Sequence, residues 1–143
     1  MWNRMKSEVG TLEKHVEDIM HYGVITCGTH TLLKEAVRII ADSDVHALVA
    51  IHDNGSVAGI VSHMDLLRLY GENLLEHKAE EVMTPRVITI APEASVREAV
   101  NLMLKHNIRR LLVTEKTPQG ERPIGVISTT DVIRDMREQP WFW

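Results

Sequence analysis

Apolar positions along the chain fall into two kinds of run, and the two alternate. Leu33, Ala36, Val37 and Ile40 recur at helical spacing, so residues 31–43 are predicted to form an amphipathic helix. Residues 24–26, 47–51 and 58–61 are short, β-branched and apolar, as buried strands require. Asp53-Asn54-Gly55 between the last two is a turn signal of the hairpin kind. Residues 63–70 complete the first half as a second helix, and residues 1–15 read as a charged helical lead-in.

The pattern then repeats. Val24-Ile25-Thr26 recurs as Val87-Ile88-Thr89, and Lys34-Glu35-Ala36-Val37 as Arg97-Glu98-Ala99-Val100, both 63 residues later. Past the next strand the offset becomes 66, because Gly59 meets Gly125 and Asp65 meets Asp131. The extra residues fall in Lys116-Thr117-Pro118-Gln119-Gly120, a turn, where insertion costs least. In the second copy strands are predicted at residues 87–90, 111–114 and 123–127, and helices from Ser95 and over 129–136. Ser95-Val96-Arg97-Glu98 has the form of a capping box. The first copy has Leu32 in place of Ser95, which leaves Thr31 as its candidate cap. Each unit reads β-α-β-β-α. A unit of about 60 residues buries little surface alone. The expected fold is therefore α/β in the broad α+β sense: tandem repeats packed sheet against sheet about a pseudo-twofold axis. The divisions are a lead-in over 1–15, repeats over 16–70 and 79–136, a polar connector over 71–78 and an aromatic tail over 137–143.

The chemistry gathers at one motif, present twice: Gly59-Ile60-Val61-Ser62-His63-Met64-Asp65 and Gly125-Val126-Ile127-Ser128-Thr129-Thr130-Asp131. Each reads as a strand that runs directly into a helix. The serine can cap that helix, and the aspartate lies in its first turn, where the dipole favours a negative charge. Such a polar edge can hold a ribose or a phosphate. It can equally be a pair of helix-capping residues and nothing more.

These motifs resemble those of the cystathionine-β-synthase (CBS) domain pair, or Bateman module. Val16-Glu17-Asp18-Ile19-Met20, Glu80-Glu81-Val82-Met83-Thr84-Pro85 and Asn107-Ile108-Arg109-Arg110-Leu111-Leu112-Val113 carry the resemblance as well. It covers residues 15–136. It implies a regulatory module that binds adenosine-containing ligands, such as AMP, ADP or ATP, in clefts between the repeats. It implies that Asp65 and Asp131 hold ribose hydroxyls, each beside its serine, Ser62 or Ser128, with Thr130 flanking Asp131. It places apolar residues around adenine: Val24, Val45 and Ile60 in one cleft, and Val87, Ile108 and Val126 in the other. Basic residues at the start of the middle strand would hold phosphate. Arg109 and Arg110 stand there in the second copy, and a guanidinium fork matches phosphate oxygens. Adjacent strand residues face opposite ways, which would turn Arg109 toward the other cleft. The first copy has His46-Ala47 instead, and Met64 where the second has Thr130. The Asp131 cleft is therefore expected to be the better nucleotide site.

Composition narrows the alternatives. With 16 Lys and Arg against 20 Asp and Glu the net charge is -4, which gives no general attraction to nucleic acid or anionic membrane. No apolar run approaches the ~20 residues of a membrane span. The single cysteine, Cys27, cannot form an internal disulfide. A cytoplasmic location is expected. The 8 histidines form no metal-ligand spacing. No nucleophile–base constellation and no phosphate-cradling Gly-Lys-Thr loop occurs, so no catalysis and no bound cofactor are expected. Trp141-Phe142-Trp143 forms an apolar tail that folds back on its own module or packs on a partner. The expected partners are a nucleotide, a second copy of the chain and a separate effector protein. The rival readings are a structural dimerisation module with empty clefts, and a binder of S-adenosylmethionine or NAD.

Overall fold

The computed structural model describes residues 14–139. The helical lead-in, for all but its last two residues, and the aromatic tail from residue 140 lie outside that range. In chain order the elements are α1 (Val16–Ile19), β1 (His21–Tyr22), β2 (Thr26–Gly28), α2 (Leu33–Ser43), β3 (Ala47–Ile51), β4 (Val57–Ser62) and α3 (His63–Leu67). A single 3-10 turn, Leu74–Glu76, leads to α4 (Ala79–Val82), β5 (Thr89–Ile90), α5 (Val96–His106), β6 (Arg110–Thr117), β7 (Gly120–Ser128) and α6 (Thr129–Arg137). This is the mixed α+β architecture that the repeat predicts.

Two compact units form. Of the described residues, one contains 23–87 and 115–123; the other contains 14–22, 88–114 and 124–139. In the first, β2 runs parallel to β3 and β3 antiparallel to β4. Its core is Cys27, Leu33, Ala36, Ile40, Leu48, Ala50, Val61 and Ala79. In the second, the strand order is β1-β7-β6-β5. Its core is Val16, Met20, Ile90, Val96, Ala99, Met103, Leu111, Val113, Ile127 and Val132.

Each repeat's opening segment packs first on the turn before the other repeat's long helix and then on its motif strand. The Val16 N–H donates to Ala94 O at 2.8 Å, Glu17 to Pro92 O at 3.0 Å, and Val96 to Lys14 O at 3.0 Å. The counterparts are Ala79 to Thr31 O at 2.8 Å, Glu80 to Thr29 O at 3.0 Å, and Leu33 to His77 O at 3.0 Å. Further along, β1 pairs antiparallel with β7, His21 opposite Val126 and Tyr22 opposite Gly125. Thr84 makes the matching bridge to Ile60. The two motif glycines permit this approach. A Cβ on Gly125 would lie 2.2 Å from His21 O, and one on Gly59 would lie 2.7 Å from Thr84 O.

Several element limits differ from the sequence pattern. Helix α2 starts at Leu33, with Leu32 as an uncapped N-terminal flank. Thr31 does not cap it: its hydroxyl accepts the Gly28 N–H at 2.9 Å and closes the turn after β2 instead. The strand expected over residues 24–26 is β2, Thr26–Gly28, two residues later than expected, because its parallel register sets Thr26 beside Val49. Helix α3 ends at Leu67, and the chain turns through Gly71 at φ 90°. Strand β5 is only Thr89–Ile90, so Val87 precedes it. β6 and β7 are longer than expected, and Gly120 takes φ 126° at their turn. The inserted residues thus extend a hairpin instead of forming a loose loop. Helices α2 and α5 both end on a left-handed residue, Asp44 and Asn107, where small polar side chains tolerate that conformation.

Candidate functional site

The site follows from the strand-to-helix junctions. At the second, Ser128 ends β7 in extended conformation and caps α6. Its N–H donates to Asp131 Oδ2 at 2.8 Å, and its hydroxyl lies 3.0 Å from the same oxygen. The Asp131 N–H in turn donates to Ser128 Oγ at 3.2 Å. Asp131 is only 5% exposed. Its other oxygen, Oδ1, faces His21 Nδ1 at 3.0 Å. The first junction repeats this. Asp65 Oδ2 takes the Ser62 N–H at 2.8 Å and the hydroxyl at 2.9 Å, while Oδ1 lies 3.3 Å from Arg68 Nη1. Asp65 is 8% exposed. Both carboxylates are therefore buried and oriented by their own helix starts.

The remaining expected residues are distributed as follows. The Arg109 carbonyl accepts the Thr129 N–H at 2.9 Å, which ties the start of the middle strand to the start of α6. His46 does the same for His63 at 3.3 Å. The His46 and His63 rings lie 5.6 Å apart, and His63 Nε2 is 3.0 Å from Val45 O. Arg109, Arg110 and Thr130 are exposed. Val126 is half-buried opposite His21, and Ile60 is half-buried opposite Thr84. Ile108 and Val45 pack against the cores of their respective units. Val24 and Val87 are half-buried but lie outside the strands expected to hold them.

A cleft of about 330 Å³ opens beside Asp131 within the second unit. Besides Asp131 and His21, its walls include Lys14, Arg134, Asp135 and Glu138. Positions 131, 134, 135 and 138 share one helical face, so α6 supplies the first three and its C-terminal cap residue, Glu138, the fourth. Asp135 is buried; Oδ2 accepts from the Gln139 amide at 3.1 Å, and Oδ1 lies 3.1 Å from the Lys14 ammonium. The latter contact is ionic without hydrogen-bond alignment. Sequence reasoning missed His21, Arg68 and His63. Arg68 follows Asp65 at the i,i+3 spacing that brings helix side chains together, a signal that was available. His21 reaches Asp131 only through the β1–β7 pairing, which periodicity does not reveal. Among the described residues, no group of three or more His, Cys, Asp or Glu side chains is arranged to hold a metal ion. No helix there is long and apolar enough to cross a membrane.

Two repeats of α+β design, each with a buried aspartate joined to a serine at a strand-to-helix junction, define a tandem-repeat module. The chain belongs to the CBS domain family, whose model matches residues 16–72 and 79–138. It is 26% identical over 124 residues to hypoxic response protein 1 of Mycobacterium tuberculosis, covering 85% of this chain and 84% of that protein. It is also 26% identical over 119 residues to L-aspartate semialdehyde sulfurtransferase of Methanocaldococcus jannaschii, covering 83% of this chain. It spans only 22% of that enzyme, and between 22% and 39% of the first curated relatives it matches. The crystal structure of CBSX2 in complex with AMP superposes with a TM-score of 0.73 at 25% identity, over 87% of this chain and 96% of that one.

Proposed function

We propose that this chain is a non-catalytic regulatory module that binds an adenosine-containing ligand, AMP, ADP or ATP, with Asp131 as its ribose anchor. The Ser128–Asp131 junction is the observation that carries the reading. A buried carboxylate held in place by its own helix start can accept from both hydroxyls of a cis-diol without itself being reoriented. The AMP complex of CBSX2, a structural neighbour, supports the choice of adenosine. Arg109 and Arg110, exposed at the start of β6, are the proposed phosphate partners. Asp65, with Ser62 and His46, forms the weaker second site. Binding shifts the module between states that differ in affinity for a separate effector protein.

A thermal-shift series with AMP, ADP, ATP, NAD and S-adenosylmethionine tests this. A true ligand at a hundred times its dissociation constant adds about 2.7 kcal/mol of stability. No shift with any of them favours the second reading, a structural dimerisation module. One observation supports that rival: Ser128 and Asp131 serve each other as a reciprocal helix cap, a role that is structural in itself.

A further inference from the structure

We propose that His21 is a proton-sensitive clasp on Asp131. The imidazole and the ligand's ribose diol compete for one carboxylate oxygen, so protonation of His21 weakens binding at this site. The inference rests on the reading of Asp131 as the ribose anchor.

A carboxylate oxygen offers about two acceptor positions. Ser128 occupies Asp131 Oδ2 with two donors, its N–H at 2.8 Å and its hydroxyl at 3.0 Å. A diol that donates twice must therefore use Oδ1, and His21 Nδ1 already stands 3.0 Å from that atom. The partners differ in freedom to move. The His21 side chain is 69% exposed, whereas that of Asp131 is 3% exposed and anchored by the helix cap. The ligand therefore displaces the imidazole, while the carboxylate stays. The β1–β7 pairing fixes the His21 backbone opposite Val126, so the displaced ring remains close enough to return.

Of the charged or ionisable side chains around the cleft, His21 is the one set against Oδ1. From α6 the cleft receives Arg134, Asp135 and Arg137 besides Asp131, the C-cap of that helix adds Glu138, and the lead-in contributes Lys14. Lys14 is engaged with Asp135, and Arg137 with Glu138. Helix α1 adds Glu17 and Asp18, the latter held by the His15 N–H. The stretch of β7 opposite β1, Gly125 to Ser128, carries no titratable side chain. The first repeat supplies an internal contrast. Arg68 takes the place of the histidine on Asp65 Oδ1, and a guanidinium keeps its charge across the whole working pH range.

The test is calorimetric titration with adenosine, which has no phosphate for a charged imidazole to attract. Wild-type, His21→Ala and Asp131→Asn proteins are compared at about pH 8 and about pH 5.5, either side of the range in which imidazoles take up a proton. The wild type is expected to bind about fivefold more weakly at the lower pH. In His21→Ala that ratio falls to near one, and binding at low pH matches the wild type at high pH. Equal wild-type affinities at the two pH values, or the same ratio in His21→Ala, overturn the clasp. If adenosine binds and requires Asp131 while the ratio survives in His21→Ala, the clasp fails and the ribose anchor stands. If neither wild type nor His21→Ala binds adenosine at either pH, both ideas fall.

Discussion

Ser128 places its N–H and its hydroxyl on the same oxygen of Asp131, at 2.8 and 3.0 Å, and leaves the other oxygen to face the cleft wall. The serine thus orients the carboxylate as well as capping the helix. Ser128→Ala removes the hydroxyl but keeps the backbone donor. Urea unfolding is expected to show a loss of about 1 kcal/mol, the usual worth of such a cap. A loss no larger than that of an exposed surface substitution contradicts the role.

Gly125 sets how closely β1 can approach. An added Cβ would meet the His21 carbonyl at 2.2 Å and the Met20 methyl at 2.3 Å. One neighbour is backbone, so relief requires the strand to move. Gly125→Ala is expected to destabilise by about 2 kcal/mol in denaturant titration. Gly59→Ala should cost less, because its nearest backbone atom is 2.7 Å away. A stability equal to wild type in Gly125→Ala contradicts the packing described for β1.

Cys27 is buried in the core of the first unit, and burial pushes its thiol pKa up. The thiolate is the reactive form. Iodoacetamide at neutral pH is therefore expected to leave the folded protein unmodified and to label it quickly in urea. Prompt labelling without denaturant would show that the β2 environment is open.

Exposed apolar side chains mark one face of each motif helix. Met64 and Leu67 project from α3, and Ile133 and Met136 from α6, each at least 42% exposed. We propose that they support self-association as a homodimer. Sedimentation is expected to give a dimer for wild type and a monomer for Ile133→Glu, with folding intact. A dimer unaffected by Ile133→Glu and Leu67→Glu points to another surface.

Much of the fold could be read from the chain because it was written twice. The apolar stripe of Leu33, Ala36 and Ile40, echoed by Val96, Ala99 and Met103, specified both long helices and both cores. The strand ends were harder to read, since pairing partners decide them. Thr26 joins β2 because it reaches Val49, and Val24 does not because the register begins beyond it. Ser62, Asp65, Ser128 and Asp131 stood out because a local junction makes each pair. His21 did not, because its contact with Asp131 joins distant parts of the chain. Similarly, Thr31 has the chemistry of a cap but spends its hydroxyl on Gly28.

The central claim is that Asp131 anchors the ribose of an adenosine ligand, more strongly than Asp65 does. Calorimetric titration of AMP into wild-type, Asp131→Ala and Asp65→Ala proteins tests it most directly. Saturable binding by wild type is expected, with at least about a tenfold loss in Asp131→Ala from a lost charged hydrogen-bond acceptor and a smaller loss in Asp65→Ala. Undiminished affinity in Asp131→Ala, or no binding by wild type, would contradict it.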